Sequence, residues 1–359
     1  DLHLDSPFAG LSPEQAALRR EELRSLPDRL ADLANEEQAD LVLLAGDLLD
    51  GQRLYRETAD LLARALGRIR AKVFIAPGNH DPYTAASPYA LPIWPDNVHI
   101  FTSPLPEAVP LPELNCTVYG AAFTAEQRED SPLSQFTATG SHLNLMVLHG
   151  NTQGRDYAPI SPPDIAASGL DYLALGHVHK TGSFQAGKTL CAWPGCPMGK
   201  GYDEQGEKGV YIVTLDETPT LRFRPLHTPR FYDLQAEPEN LSSVLPPVES
   251  ADYYRVTLTG CYEAPDLEKL QAEYAHLPNL TLRDKTTRPV DVWGSLGQDS
   301  FEGVYFGLLK QMLDELYVDD AADLVEEMPA NVVKRILKQA SPEMRKSINQ
   351  ILRYPENSA

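Results

Sequence analysis

Five short polar groups, each rich in metal-binding residue types, constrain this chain more than any other feature. They are Asp1-Leu2-His3, Gly46-Asp47-Leu48-Leu49-Asp50, Gly78-Asn79-His80-Asp81, Leu148-His149-Gly150 and Gly176-His177-Val178-His179. Four of them follow or close strand-sized apolar runs, Asp40 to Gly46, Lys72 to Ala76, Leu143 to Leu148 and Tyr172 to Leu175, of the kind expected for strands buried on both faces. Helical periodicity lies between the runs. Ser12-Pro13 reads as the N-cap and first-turn proline of an amphipathic helix over Glu14 to Asn35, kinked at Pro27, and Thr58 to Ile69 reads as a second helix. Strands alternating with helices predict a layered α/β domain from Asp1 to about Leu226.

The chemistry of these groups follows from their spacing. Residues i and i+2 of an extended segment face the same side, so Asp1 with His3, and His177 with His179, each present two ligands to one place. Glycines at 46, 78, 150 and 176 permit the tight turns that leave a strand at its carboxyl end, where open α/β sheets gather their sites. The chain has nine histidines and five of them fall in these groups, which chance would not arrange. Imidazole, carboxylate and one amide, without thiolate, suit Mn, Fe or Zn better than a sulfur-bound metal. So many donors exceed what one ion with open positions can use, but they divide well over two ions ~3.5 to 4 Å apart sharing one Asp. Such a pair holds a hydroxide and clamps phosphate oxygens, which is the machinery of phosphoester hydrolysis.

The series DLH, GDLLD, GNHD, LHG, GHVH, in this order and at these separations, resembles the calcineurin-like metallophosphoesterases, and among them the SbcD-type and YhaO-type DNA repair exonucleases. The opening DLHLDSPF and the later GYDEQGEKG resemble the YhaO branch, and the likeness extends from Asp1 to about Met312. It implies a sandwich of two β-sheets flanked by helices, followed by a small α+β capping domain. It also implies that Asp1, His3, Asp47 and His179 hold one metal while Asp47, Asn79, His149 and His177 hold the other, with Asp47 bridging. His80 would then protonate the leaving oxygen or stabilise the transition state. Asp50 stands where some relatives carry a histidine, so the chain departs from the pattern there. The implied activity is in-line hydrolysis of DNA phosphodiesters in double-strand break repair. Two divalent ions, manganese first with iron, zinc or magnesium as alternatives, would be the cofactors. The implied partners are DNA, a coiled-coil ATPase of the SbcC or YhaN kind, and a second copy of the chain.

The remaining sequence sets limits. A net charge of -20 argues against a broad basic surface for a phosphate backbone, so any nucleic-acid contact must be local. This keeps open a phosphomonoesterase or nucleotide phosphatase on the same site, and a non-catalytic regulatory module. Four cysteines with no C-x-x-C pair fit a reducing, cytoplasmic compartment and argue against a structural zinc site. No apolar run approaches the ~18 to 20 residues of a membrane span. The chain opens at Asp1, inside a ligand motif, and so reads as cut at its start. His99, His142, His227 and His276 read as ordinary surface or core histidines, and Asp5, Ser6 and Asp81 as cap or turn residues.

Three segments are expected: a metallophosphoesterase domain over 1–226, an α+β capping and DNA-binding domain over 227–300, and a helical segment over 301–359. Within them, Thr189 to Trp193 and Gly209 to Leu215 read as strands of hairpins, and proline-rich Pro225 to Pro247 as a linker. Tyr253 to Leu258, Asp266 to Leu277 and Asn279 to Arg283 read as a β-α-β unit. From about Asp314 the strings PANVVKRIL and RYPENSA resemble the end of the cytosolic helical domain of MgtE-type magnesium transporters, a likeness that carries no functional expectation for this chain.

Overall fold

A computed structural model describes residues 1–50, 55–140, 142–152, 156–216, 219–262, 264–288, 296–299 and 307. The expected helical segment over 301–359, residue 307 apart, lies outside the described residues. The chain divides into two compact units, one of Asp1–Asp233 with Glu249–Arg255 and Leu277–Leu280, the other of Leu234–Val248, Val256–His276 and the described residues from Thr281 on.

The first unit opens with α1 (Pro13–Glu36), which begins where its sequence says it should. Ser12 accepts from the Gln15 N–H and Gln15 returns the bond to the Ser12 N–H, a full capping box with Pro13 in the first turn. The helix stays helical through Pro27 to Glu36. After it come β1 (Leu41–Leu44), α2 (Arg56–Gly67), β2 (Lys72–Ile75) and β3 (Val98–Ile100), whose strands form a parallel sheet in the order β1-β2-β3. Then follow β4 (Glu107–Leu111), β5 (Cys116–Gly120), β6 (Leu143–His149), α3 (Pro162–Ala167), β7 (Tyr172–Gly176), β8 (Gly182–Ala186) and β9 (Thr189–Trp193). These strands make a mixed sheet in the order β4-β5-β6-β7-β9-β8, with β5, β6, β7 and β9 parallel and one antiparallel strand at each edge.

Alternation along the strands shows how the two sheets stack. Val73 and Ile75 of β2 join the core beneath α1 and α2, whereas Phe74 and Ala76 point the other way. On the second sheet, Met146 and Leu148 of β6 and Leu173 and Leu175 of β7 pack with Ile165 of α3. Leu145, Val147, Tyr172 and Ala174, on the opposite face, meet Phe74, Ala76 and Phe101 in a shared core. A period of two on both sheets, with both faces apolar, is what a two-sheet sandwich covered by helices requires. The unbroken apolar runs in the sequence are this arrangement read in one dimension. β10 (Gly209–Thr214) and β11 (Thr220–Pro225) add an antiparallel pair.

The stretch expected as a linker, Pro225 to Pro247, is not one. It contains β12 (Phe231–Ala236) and the short α4 (Leu241–Val244). Phe231 is fully buried and stacks on Tyr253, with ring centroids 4.8 Å apart. The flanking prolines masked a strand whose two end residues, Phe231 and Ala236, are buried. β12, β13 (Tyr253–Leu258) and β14 (Leu280–Asp284) form a three-stranded sheet in that order. In the second unit α5 (Leu267–Glu273) is capped by Asp266, which accepts from the Lys269 N–H, and it ends four residues before the expected Leu277.

Candidate metal centre

The carboxyl ends of β1, β2, β6 and β7 converge within the first unit, and all seven expected ligands gather there. Asp1 and His3 are held by the loop after β1: His3 N–H donates to the Asp47 carbonyl and Leu4 N–H to the Leu48 carbonyl, both at 2.9 Å, while Leu4 and Leu49 form an isolated parallel bridge. His3 is 1% exposed. The Asp1 carboxylate reaches across to β7 and accepts the His177 backbone N–H at 3.0 Å.

Asp47 lies at the middle. Its Oδ2 is 3.3 Å from His149 Nε2 and 3.7 Å from His3 Nε2, and its Oδ1 accepts the His80 backbone N–H at 2.9 Å. Asn79 Oδ1 stands 2.9 Å from His149 Nε2 and 3.2 Å from His177 Nδ1. On the other side His3 Nε2 and His179 Nε2 are 3.0 Å apart, and His179 Nε2 is 3.7 Å from Asp1 Oδ1. Asp1, His3 and His179 form one group whose ligand atoms all lie within 4.8 Å of one another, and Asp1, Asp47 and His149 form a second.

These contacts fit a divalent cation on their own terms. His149 Nδ1 donates to the Ala45 carbonyl at 2.8 Å, and the tautomer with its one proton there turns the lone pair of Nε2 toward Asn79 Oδ1 and Asp47 Oδ2, which are acceptors too. Three acceptors aimed at one place, in a buried pocket, need a positive charge among them. Burial disfavours the charged form of two of the rings: it pulls His3 down to about 4, and does the same to His177 with help from nearby His149.

His80 differs from the seven. Its ring is exposed, meets the His3 ring edge-on at 4.9 Å between centroids, and binds Asp50 Oδ1 through Nδ1 at 3.1 Å. That bond raises its pKa. The position where relatives were expected to differ, Asp50, therefore serves as the partner of His80. Lys200 places a cation near enough to oppose protonation of both His3 and His80.

Two side chains missing from the expected site support it. Asp81, expected as a turn residue, is 1% exposed and gathers two loops at once. Its Oδ1 accepts from the Gly78 and Asp47 N–H groups at 2.7 and 3.1 Å, and its Oδ2 from Leu48 at 2.7 Å, Leu49 at 3.1 Å and the Tyr89 hydroxyl at 2.6 Å. Glu204 Oε1 binds His179 Nδ1 at 2.6 Å. Glu204 lies inside the GYDEQGEKG string, the signal that could have found it. Two glycines are needed for space rather than for turning. A Cβ on Gly176 would fall 1.8 Å from the Ala45 carbonyl oxygen, and one on Gly78 would fall 2.2 Å from Asp47 Oδ1.

The family model for calcineurin-like phosphoesterases matches residues 1–181, and the chain belongs to that family. Its fold and its clustered ligand groups are those of a metal-binding phosphoesterase. The chain is 33% identical over 228 residues to the uncharacterized metallophosphoesterase YhaO of Bacillus subtilis, covering 59% of this chain and 55% of that protein. It is 24% identical over 262 residues to the D chain of the nuclease SbcCD of the same organism, covering 59% of this chain and 64% of the relative. The chain thus spans between half and two thirds of the length of these curated relatives. TT1561 of Thermus thermophilus is a similar solved structure at 12% identity and a TM-score of 0.33, covering 51% of this chain and 86% of that one. Residues 307–357 match the model of the MgtE intracellular N domain. Among the described residues no helix is long and apolar enough to cross a membrane.

Proposed function

We propose that the chain is a two-metal phosphodiesterase that cleaves DNA, as an exonuclease or endonuclease of double-strand break repair, with manganese as its working ion. The observation that carries this reading is the place of Asp47, whose one carboxylate oxygen faces His149 at 3.3 Å and His3 at 3.7 Å. A carboxylate shared between two histidine groups suits a bridging ligand. Asp1, His3, Asp47 and His179 would hold one ion, and Asp47, Asn79, His149 and His177 the other. Divalent ions there would supply charge for a phosphate and a nucleophile from water at neutral pH. The protein's own residues do the rest. Asp81 fixes the two loops that carry Asp47 and Asn79, and the Ala45 carbonyl fixes the His149 ring. His80, open to solvent and given a greater hold on its proton by Asp50, is the proton donor to the leaving oxygen.

The likeness to a protein named as part of a nuclease supports DNA as substrate, and with it a coiled-coil ATPase partner of the SbcC or YhaN kind and self-association. Four cysteines, all unpaired, suit a cytoplasmic place of work. A second reading, a phosphomonoesterase or nucleotide phosphatase, draws on the net charge of -20, which opposes a long phosphate backbone and not a small ester. The two are separated by giving one Mn²⁺-loaded preparation a linear DNA, a chromogenic phosphodiester and a chromogenic phosphomonoester. Degradation of DNA and diester with little monoester turnover is expected. Monoester turnover with intact DNA would move the assignment to the second reading.

A further inference from the structure

We propose that Glu204 makes the two halves of the metal centre unequal, by holding His179 through a charged bond where His149 is held by a neutral one. The proposal rests on the two-metal reading above. Each of these imidazoles uses Nδ1 to bind an acceptor behind it and turns Nε2 toward the centre. For His149 the acceptor is the Ala45 carbonyl at 2.8 Å; for His179 it is the Glu204 carboxylate at 2.6 Å. A carboxylate behind a ligating imidazole fixes its tautomer and makes the outer nitrogen a stronger donor than a backbone carbonyl does.

Glu204 is itself held in place. Its Oε2 accepts the Lys200 N–H at 2.7 Å and stands 3.5 Å from Cys196 Sγ. The residue before Lys200 is pinned in turn, because the fully buried Arg19 donates to the Gly199 carbonyl at 2.6 Å. The guanidinium carbon of Arg19 lies 5.3 Å from the Phe231 ring centroid and 5.2 Å from that of Tyr253. A carboxylate fixed on both oxygens cannot swing away from His179, so its effect falls on the group formed by Asp1, His3 and His179 and not on His149. Glu204 is a positioning residue: it acts through His179 and ligates nothing itself. The structure thus assigns the tighter ion to the Asp1, His3 and His179 side.

Metal-free protein titrated with Mn²⁺, followed by calorimetry and by counting bound ions, tests this. Wild type should take up two ions in two steps, and His179→Ala should remove the tighter step. Glu204→Gln, which has the shape and one acceptor oxygen but no charge, should weaken that same step about 10- to 100-fold and leave the other unchanged. A merely structural role would instead lower the melting temperature and weaken both steps together. Glu204→Asp serves as a second variant should the glutamine form fail to fold; it retains the charge one carbon short and should weaken the same step less. Unchanged affinities, or equal weakening of both steps, in whichever variant folds would overturn the assignment of Glu204 alone. Fewer than two ions in the wild type would overturn the two-metal reading, and the Glu204 proposal with it.

Discussion

The Asp81 carboxylate accepts the backbone N–H of Asp47 at 3.1 Å, so the loop that ends β2 holds the loop that ends β1. Three further backbone N–H groups and the Tyr89 hydroxyl share the same two oxygens. Replacing Asp81 by Ala would leave all of these donors buried without a partner. The expected cost is about 3 to 5 kcal/mol, the range for removing one member of a buried charged network. Urea unfolding of Asp81→Ala beside wild type measures it, and a change below about 1 kcal/mol would refute the role.

The glycines at the centre make a sharper steric case. Gly176→Ala would drive a methyl group into the Ala45 carbonyl, which also accepts from His149, so overpacking of about 1 to 3 kcal/mol and a displaced ligand are expected together. Gly182 of β8 has nothing within 4 Å of its would-be Cβ, and Gly182→Ala should change stability by less than about 0.5 kcal/mol. Denaturation midpoints and metal content of the two variants decide it.

His177→Ala and His80→Ala should fail differently. Loss of His177 removes a proposed ligand, so bound metal and turnover should fall together. Loss of His80 should leave metal in place and slow the chemistry by roughly 10² to 10⁴. Asp50→Asn should follow His80→Ala in kind but more weakly. Metal analysis and single-turnover cleavage on the same preparations separate the cases; metal loss in His80→Ala would make that residue structural.

The metal-free protein should lose stability on mild acidification. His3 and His177 titrate near 4 in the folded chain, pulled down first by burial, against 6.5 when unfolded. Between those values the unfolded chain carries the extra protons. Falling pH therefore favours unfolding, and the stability the neutral rings retain above pH 6.5 is lost progressively toward pH 4. Midpoints of urea unfolding from about pH 7.5 to 4.5 should decline in wild type and decline less in His3→Gln. A flat profile would show the two rings to be solvated.

Much of the centre was legible in the sequence because strand-end ligands carry a strong local signature. Asp1 with His3 and His177 with His179 sit two residues apart and all four reach the centre, but not from extended segments: His3 and His177 have φ of 50° and 82°, and His177 meets Asn79 while His179 meets His3. What stayed hidden was support over long separations. Glu204 meets His179 across 25 residues from a stretch that looks like a turn, and Asp81, just before Pro82, looks like any turn aspartate. The glycines were recognised for the wrong reason: of positions 46, 78, 150 and 176 only Gly46 has a positive φ, 79°, while Gly78 and Gly176 are there for close approach. β12 was hidden by the prolines on either side of it, and β8, with Gly182 and Gln185 along it, shows no apolar run to find.

The sandwich has a consequence for assembly. Asp47 and Asn79 follow strands of the first sheet, His149 closes β6 and His177 follows β7 in the second, and the two sheets meet through the core of Phe74, Phe101, Val147 and Tyr172. Neither sheet alone brings the whole donor set together, so an ion held by donors of both would bind the packed sandwich and not its separated halves. By mass action an ion at about one hundred times its dissociation constant would add about 2.7 kcal/mol to the docked form. Metal occupancy would then report the packing of the two sheets as well as equip the centre for chemistry.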